Sequence, residues 1–426
     1  MRNIDLARKY EQYIINQRRY FHENPELTNN EFETVKKIEE ELDDIGIPYV
    51  EIENGGVLAT LKGNKACERS VLLRADVDAL AINEADSNLK FKRTCISRNK
   101  GIMHACGHDG HIAMLLGAAK ILYDKRDEIE GTIYFCFERA EEGGIGYQYI
   151  LKYIDENQIN IDTVYAIHLY AKLESGKLAI NEGPVMACNM PFHITIEGKG
   201  GHGSRPDLAT SPIDAFVDIY TRLSALRLTK IDPFKALTYS IGEVQAGNSQ
   251  NSIPDSLKFK GTVRTFDRDG AGMIFYDELK KLVDGVCELH GCRAIYTRYN
   301  VPSLAVINDN ECAELARDVI GQELGMDSVV STEPWMASEA FSRYLCMWPG
   351  VFVLLGIKNE EKGIGAEHHN AYFDIDETVL YKGAASAATY ALEFLKSDID
   401  TSHRKLRGGF NEMMDILNGK KRRINL

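Results

Sequence analysis

Long apolar runs are missing from this chain. No stretch approaches the roughly 20 uninterrupted apolar residues that a bilayer-spanning helix needs. The opening segment "MRNIDLARKYEQYIINQRRY" is charged throughout, which excludes the apolar core of a secretory leader. Basic charge is in short supply as well. The formal net charge of −13 is the opposite of the surface that a phosphate backbone selects, so no nucleic-acid partner is expected. The nine cysteines are odd in number and form no Cys-x-x-Cys pair, which suits reduced thiols better than a disulfide framework. There is no internal repeat and no low-complexity tract. These absences leave a soluble cytoplasmic globular protein, without a membrane partner, as the expectation. Its 426 residues are too many for one compact core and suit two domains, or one domain with an insert.

What is present is alternation of helical and strand patterns. Residues 3–22 and 30–45 have helical spacing, the second with apolar Phe32, Val35, Ile38 and Leu42. "SVLLRADVDAL" (70–80), "GTIYFCFE" (131–138), "DTVYAIHL" (162–169) and "GVFVLLG" (350–356) read as short buried strands. A helix follows "GIMHACGHDG", with Ile112, Leu115, Leu116, Ala119 and Leu122 on one face and Asp109 as its expected N-cap. Such alternation predicts an α/β fold, a mostly parallel sheet covered on both faces. Near residue 186 the texture changes to alternating-pattern strands and two helices (212–228, 271–290), which predicts an inserted α+β domain. The expected division is a discontinuous catalytic domain (1–186 plus 301–395), an inserted domain (187–300) and a basic C-terminal extension (396–426), read as a solvated appendage.

Between His104 and His111 the chain carries three histidines, a cysteine and an aspartate. Cys106 and His108, two apart, cannot share a helix face, but a tight turn can aim both at one point. Ligand-type residues also follow the other strands: Glu141 and Glu142 after 131–138, His168 at the end of 162–169, and His368 and His369 after 350–356. In an open parallel sheet those strand-end loops meet in one crevice, which predicts a metal centre. Adjacent glutamates point in different directions. One can therefore bind metal while its neighbour takes a proton from an activated water.

"RRYFHENPELTNNEFET", "LLRADVDAL", "GIMHACGHDGHIAMLLGAA", "AEEGG", "AIHLY", "GKGGHGSRP", "NSIPD", "GTVRTFD" and "HNAYFDIDE" occur in an order that resembles the metal-dependent amidohydrolases. That group includes auxin-conjugate hydrolases, hippurate hydrolases and aminoacylases, relatives of carboxypeptidase G, and the resemblance covers about residues 12–395. It implies that Cys106, His108, Glu142, His168 and His369 hold two divalent ions, zinc or manganese, with Cys106 as the bridge. Glu141 would be the general base. It also implies that the insert is a lid through which two copies form a homodimer. His202 would then reach the neighbouring subunit's site, and Asn251 and Arg264 would grip the substrate's carboxylate.

Three motifs depart from the family pattern. "ERAEEG" stands where "QPAEEG" is common, "SEAF" replaces "SEDF" at Ala340, and Ala371 takes the place of a proline. With the five ligand positions intact, these read as changes of specificity or loop stiffness. The expected reaction is hydrolysis of an N-acyl amino acid to a carboxylic acid and a free amino acid. A dipeptidase or exopeptidase using the same centre is the nearest alternative. A non-catalytic metal- or peptide-binding protein on the same scaffold is a further one, and it would have no reason to keep Glu141.

Overall fold

A computed structural model describes residues 1–422. The chain runs through α1 (Asn3–Lys9), α2 (Glu11–Glu23), α3 (Phe32–Ile45), β1 (Tyr49–Ile52), β2 (Gly56–Lys62), β3 (Lys65–Asp76), α4 (His108–Asp124), β4 (Glu130–Glu138), α5 (Gly146–Glu156) and β5 (Thr163–Glu174). It continues through β6 (Cys188–Glu197), α6 (Pro212–Lys230), β7 (Leu237–Ala246), β8 (Ser256–Thr265), α7 (Met273–Leu289) and β9 (Arg293–Tyr299). It then returns to α8 (Asn310–Leu324), β10 (Gly350–Lys358), α9 (Leu380–Lys396) and α10 (Gly409–Leu417).

The contacts divide this chain into two compact units. The first comprises Met1–Val185, Ile307–Glu333 and Ala340–Phe410. Its sheet has the order β1-β2-β4-β3-β5-β10, extended by two two-residue strands, with β4, β3, β5 and β10 mutually parallel. A central parallel strand is covered on both faces. Accordingly Thr163 to Ala171 of β5 are all buried. α4 and α9 bury nearly their whole circumference beside the sheet, as apolar, small-residue helices can, with Ile112, Leu115, Leu116, Ala384 and Ala388 in the common core. Asp76 pairs in register with Glu138, so β3 and β4 end together and their following loops leave from one edge.

The second unit contains Met186–Val306, with Pro334–Glu339 and the chain from Asn411. Its antiparallel sheet has the order β7-β8-β6-β9. Every second residue of β6 is buried, from Cys188 and Met190 to Ile196. Met190, Phe192, Ile194 and Ile196 pack with Ile219 and Leu223 of α6 and Phe275 and Leu279 of α7.

Several expectations need correction. Phe32 is not on the buried face of α3: it is 62% exposed and lies under the Arg139 guanidinium. Asp109 does not cap α4. Gly107 does, at φ +96, and Asp109 is buried inside the first turn, bonded to Arg18 and His22. His168 lies within β5, which runs on to Glu174. The last segment is no free appendage. Lys405 pairs with Asp162 in the first unit, while α10 buries Met413 and Ile416 in the second, where Arg268 donates to the Ile416 carbonyl.

Candidate metal centre

Three left-handed residues aim the site's side chains. Gly107 turns the chain between Cys106 and His108; a Cβ there would sit 3.2 Å from Leu169 Cδ1 and take a φ that only glycine adopts freely. Ala140, at φ +55, precedes the glutamate pair, and His369 itself has φ +58. Non-glycine residues in this region are strained and cluster at functional sites.

The hydrogen bonds decide which imidazole nitrogens stay available. His108 Nδ1–H donates to the Asp78 carbonyl at 2.9 Å and to Asp78 Oδ1 at 3.2 Å. Its Nε2 is buried and makes no hydrogen bond among the described residues. His168 Nδ1–H donates to the Leu169 carbonyl at 2.7 Å, which turns Nε2 toward Cys106 Sγ at 3.6 Å. The backbone N–H of His369 is tied to the Ala105 carbonyl at 2.8 Å, and its Nε2 stands 3.2 Å from Glu142 Oε1. Of the histidine pair, His368 is the packing residue: its Nε2 accepts the Ala171 N–H at 3.2 Å and its ring lies on Phe373.

Two donor sets result, Cys106–His108–His168 and Cys106–Glu142–His369, each with its ligand atoms within 4.8 Å of one another. Cys106 belongs to both. Sulfur, imidazole nitrogen and carboxylate oxygen at such spacing form the donor chemistry of zinc and related divalent ions. The anchored Nδ1 atoms of His108 and His168, with Nε2 grouped beside Cys106 Sγ, fit a bound cation. Glu141 adjoins this cluster in a third grouping with His108 and Glu142, and its Oε1 accepts the Ala340 N–H at 2.8 Å.

Burial and neighbouring charges shift the groups of the cluster in different directions. Burial pushes the Cys106 thiol well up, and nearby His108 only partly offsets it. Burial, then His111 and His368, hold His168 down and neutral. Burial also pushes His368 down, to about 3. For His108 burial acts downward, but the Asp76 carboxylate and Cys106 raise it overall.

Sequence reasoning missed Asp76, Asp78, His111 and Arg74. His111 donates Nδ1–H to Asp76 Oδ1 at 2.6 Å and accepts the Leu169 N–H on Nε2 at 2.9 Å, so both ring nitrogens are engaged. The grouping Asp76–His108–His111 has ligand-like distances. With His111 consumed, it is a supporting shell rather than a cation cage. Arg74 bonds Asp76 at 2.7 Å and Glu138 at 2.9 Å, neutralising the buried carboxylates. The signal was Arg-x-Asp-x-Asp at the end of an apolar strand, three charges where a buried strand should carry none.

His202, Asn251 and Arg264 lie in the second unit. His202 and Asn251 line one open cleft of about 740 Å³ with Gly200, Gly201 and Gly247. His202 Nδ1 accepts from Ser204 Oγ at 2.8 Å and from the Ser204 N–H at 3.1 Å, leaving Nε2 to carry the proton. Arg264 is outside that lining. It stands opposite Asn189 on the sheet, half-buried, and its Nη1 makes no hydrogen bond among the described residues.

A mostly parallel α/β unit with a Cys/His/Glu donor cluster, joined to an antiparallel α+β unit, defines a two-domain metallohydrolase. Residues 72–393 match the family described as Peptidase family M20/M25/M40, and the chain belongs to that family and is a metal-dependent amidohydrolase. It is 36% identical over 397 residues to thermostable carboxypeptidase 2 of Saccharolobus solfataricus, covering 91% of this chain and 97% of that protein. It is 34% identical over 393 residues to N-acetylcysteine deacetylase of Bacillus subtilis, covering 90% and 98%. Among solved structures, the Bacillus subtilis YXEP protein, described as a dinuclear metal-binding peptidase of the M20 family, superposes with a TM-score of 0.76. It is 31% identical, with 91% of this chain and 99% of that one covered.

Proposed function

We propose that the protein hydrolyses the amide bond of N-acyl amino acids at a dinuclear centre held by Cys106, His108, Glu142, His168 and His369. The observation that carries this reading is the sharing of Cys106 between two three-residue donor sets, with Glu141 beside them. Two bound divalent ions, zinc or manganese, would supply the Lewis acidity that makes water nucleophilic near neutral pH and polarises the scissile carbonyl. Glu141, its Oε1 anchored by the Ala340 amide, takes a proton from the attacking water and delivers it to the leaving nitrogen as the C–N bond breaks. His202, with Nε2–H free to donate, stabilises the oxyanion. Arg264 and Asn251 hold the free carboxylate, a role for which an unpaired guanidinium is suited.

A homodimer through the second unit is part of this reading. Along α6, Ile213, Val217, Tyr220 and Leu228 are exposed, and β7 lies at the edge of its sheet. An apolar stripe beside an open strand edge suits a second copy. The nine free cysteines support a reducing, cytoplasmic setting, and no helix among the described residues is long and apolar enough to cross a membrane. The similarity to a carboxypeptidase favours a second reading, in which the group across the scissile bond is an aminoacyl residue and the protein is a dipeptidase or exopeptidase. A turnover screen of zinc- or manganese-loaded protein against N-acetyl, N-benzoyl and N-indolylacetyl amino acids, with dipeptides alongside, separates the two. Cleavage of dipeptides alone overturns the first reading. No cleavage of any of these compounds overturns both.

A further inference from the structure

The two adjacent carboxylates at Glu141 and Glu142 must point in different directions to act as base and ligand, and the residue before them is strained. Ala140 has φ +55, a conformation that disfavours a side chain bearing a Cβ by roughly tenfold or more. Something must hold it there. Glu31, whose side chain is fully buried, accepts the Ala140 N–H on Oε1 at 2.8 Å and the Arg139 Nε–H on Oε2 at 3.1 Å. Arg139 is tied further to the Asn29 carbonyl at 3.1 Å. Downstream of the strained residue, Glu142 N–H is held at 3.0 Å by Asp78, which is itself braced by Thr28 at 2.7 Å. The turn is therefore gripped on both sides, and the segment Thr28–Glu31 contributes to both grips.

We propose that Glu31 is a positioning residue: through Ala140 and Arg139 it holds the turn in its left-handed form, so that Glu141 and Glu142 diverge. This rests on reading that pair as base and ligand. Glu31 belongs to none of the candidate donor sets, and its effect has to pass through the backbone at Ala140. That dependence gives the test. In Glu31→Ala the turn relaxes, kcat falls by about tenfold to a hundredfold with little change in KM, and the affinity for zinc weakens as Glu142 loses its aim. Glycine adopts the left-handed conformation without penalty. Introducing Ala140→Gly into Glu31→Ala should therefore recover at least about threefold in kcat, together with part of the zinc affinity, a larger gain than the same change gives in the parent.

A merely structural role of Glu31 would lower thermal stability without any such coupling to position 140. Glu31→Ala at parental kcat, or with a loss that Ala140→Gly does not reduce, overturns the proposal. Should Glu31→Ala fail to fold, Glu31→Gln serves. It removes the charge facing Arg139, and its smaller loss must likewise shrink in the Ala140→Gly background; parental behaviour, or a loss that does not shrink, overturns the proposal. Failure of the base assignment is recognised separately. It appears as turnover surviving in Glu141→Gln, while the coupling measured through zinc affinity is unaffected.

Discussion

Asp78 accepts the Nδ1–H of His108 with one carboxylate oxygen and the backbone N–H of Glu142 with the other, at 3.2 and 3.0 Å. One buried carboxylate thereby sets the tautomer of one proposed ligand and the place of a second on a different loop. Replacing Asp78 by Ala should weaken zinc binding by about 10- to 100-fold, the usual consequence of removing such a partner. Competition with a chelator of known affinity measures it, and unchanged affinity would mean that His108 is oriented by the Asp78 carbonyl alone.

Metal content checks the centre as a whole. About two divalent ions should copurify or reconstitute per chain, and chelation should abolish hydrolysis. Cys106→Ala removes the atom common to both donor sets, so stoichiometry as well as rate should fall. Full activity in protein shown by elemental analysis to be metal-free would sink the assignment.

Glu141 and Glu142 should fail differently. Glu141→Gln keeps metal and substrate binding but loses most of kcat, since only proton transfer is removed. Glu142→Gln lowers metal affinity first. Steady-state kinetics paired with metal titration distinguishes the two losses, and near-normal turnover in Glu141→Gln would exchange the roles.

Asp376 ties the loop after the proposed ligand His369 to Ser175, which follows β5, and to Asn359, which follows β10. Burial alone would raise its carboxyl, but Lys362, Thr378, Asn359 and Ser175, at 2.6–2.8 Å, bring it down to about 2. The folded value is below the unfolded one, so this stabilisation is present above about pH 4 and lost as the pH falls through 2. Asp376→Asn should cost on the order of 2 kcal/mol at neutral pH and progressively less toward pH 2, as read by urea unfolding at several pH values. A penalty independent of pH would assign the loss to packing.

The parallel sheet and the loops that carry the proposed ligands were legible because buried strands of the parallel class read as short apolar runs, and a cysteine or histidine at their ends stands out. What could not be read was the state of each donor. His104, His108, His111, His168, His368 and His369 look equivalent as letters. Only the tertiary partners show that His111 has spent both nitrogens and His368 its Nε2, while His108 and His168 anchor Nδ1 and turn Nε2 toward the cluster of Cys106. The exposure of Phe32 escaped for a similar reason: its cover is a guanidinium from another loop, which no helical periodicity reveals. The fate of the C-terminal segment was hidden because two apolar residues in a charged tail, Met413 and Ile416, carry too little pattern to announce a docked helix.

Every proposed metal ligand lies in the first unit, whereas His202, Asn251 and Arg264 lie in the second. If the exposed stripe of α6 and the edge strand β7 pair two copies through their second units, an isologous dimer carries two equivalent composite sites. Each would combine the ligands of one subunit with the imidazole of the other. Cys106→Ala and His202→Ala should then be inactive separately and complement when mixed. In a mixed dimer one site gathers both defects and the other is intact, so activity should rise to as much as half that of the wild type per heterodimer. The measurement is turnover after subunit exchange, with heterodimers verified by two different affinity tags. Verified heterodimers that stay as inactive as either parent would show that His202 serves its own subunit or takes no part in the reaction.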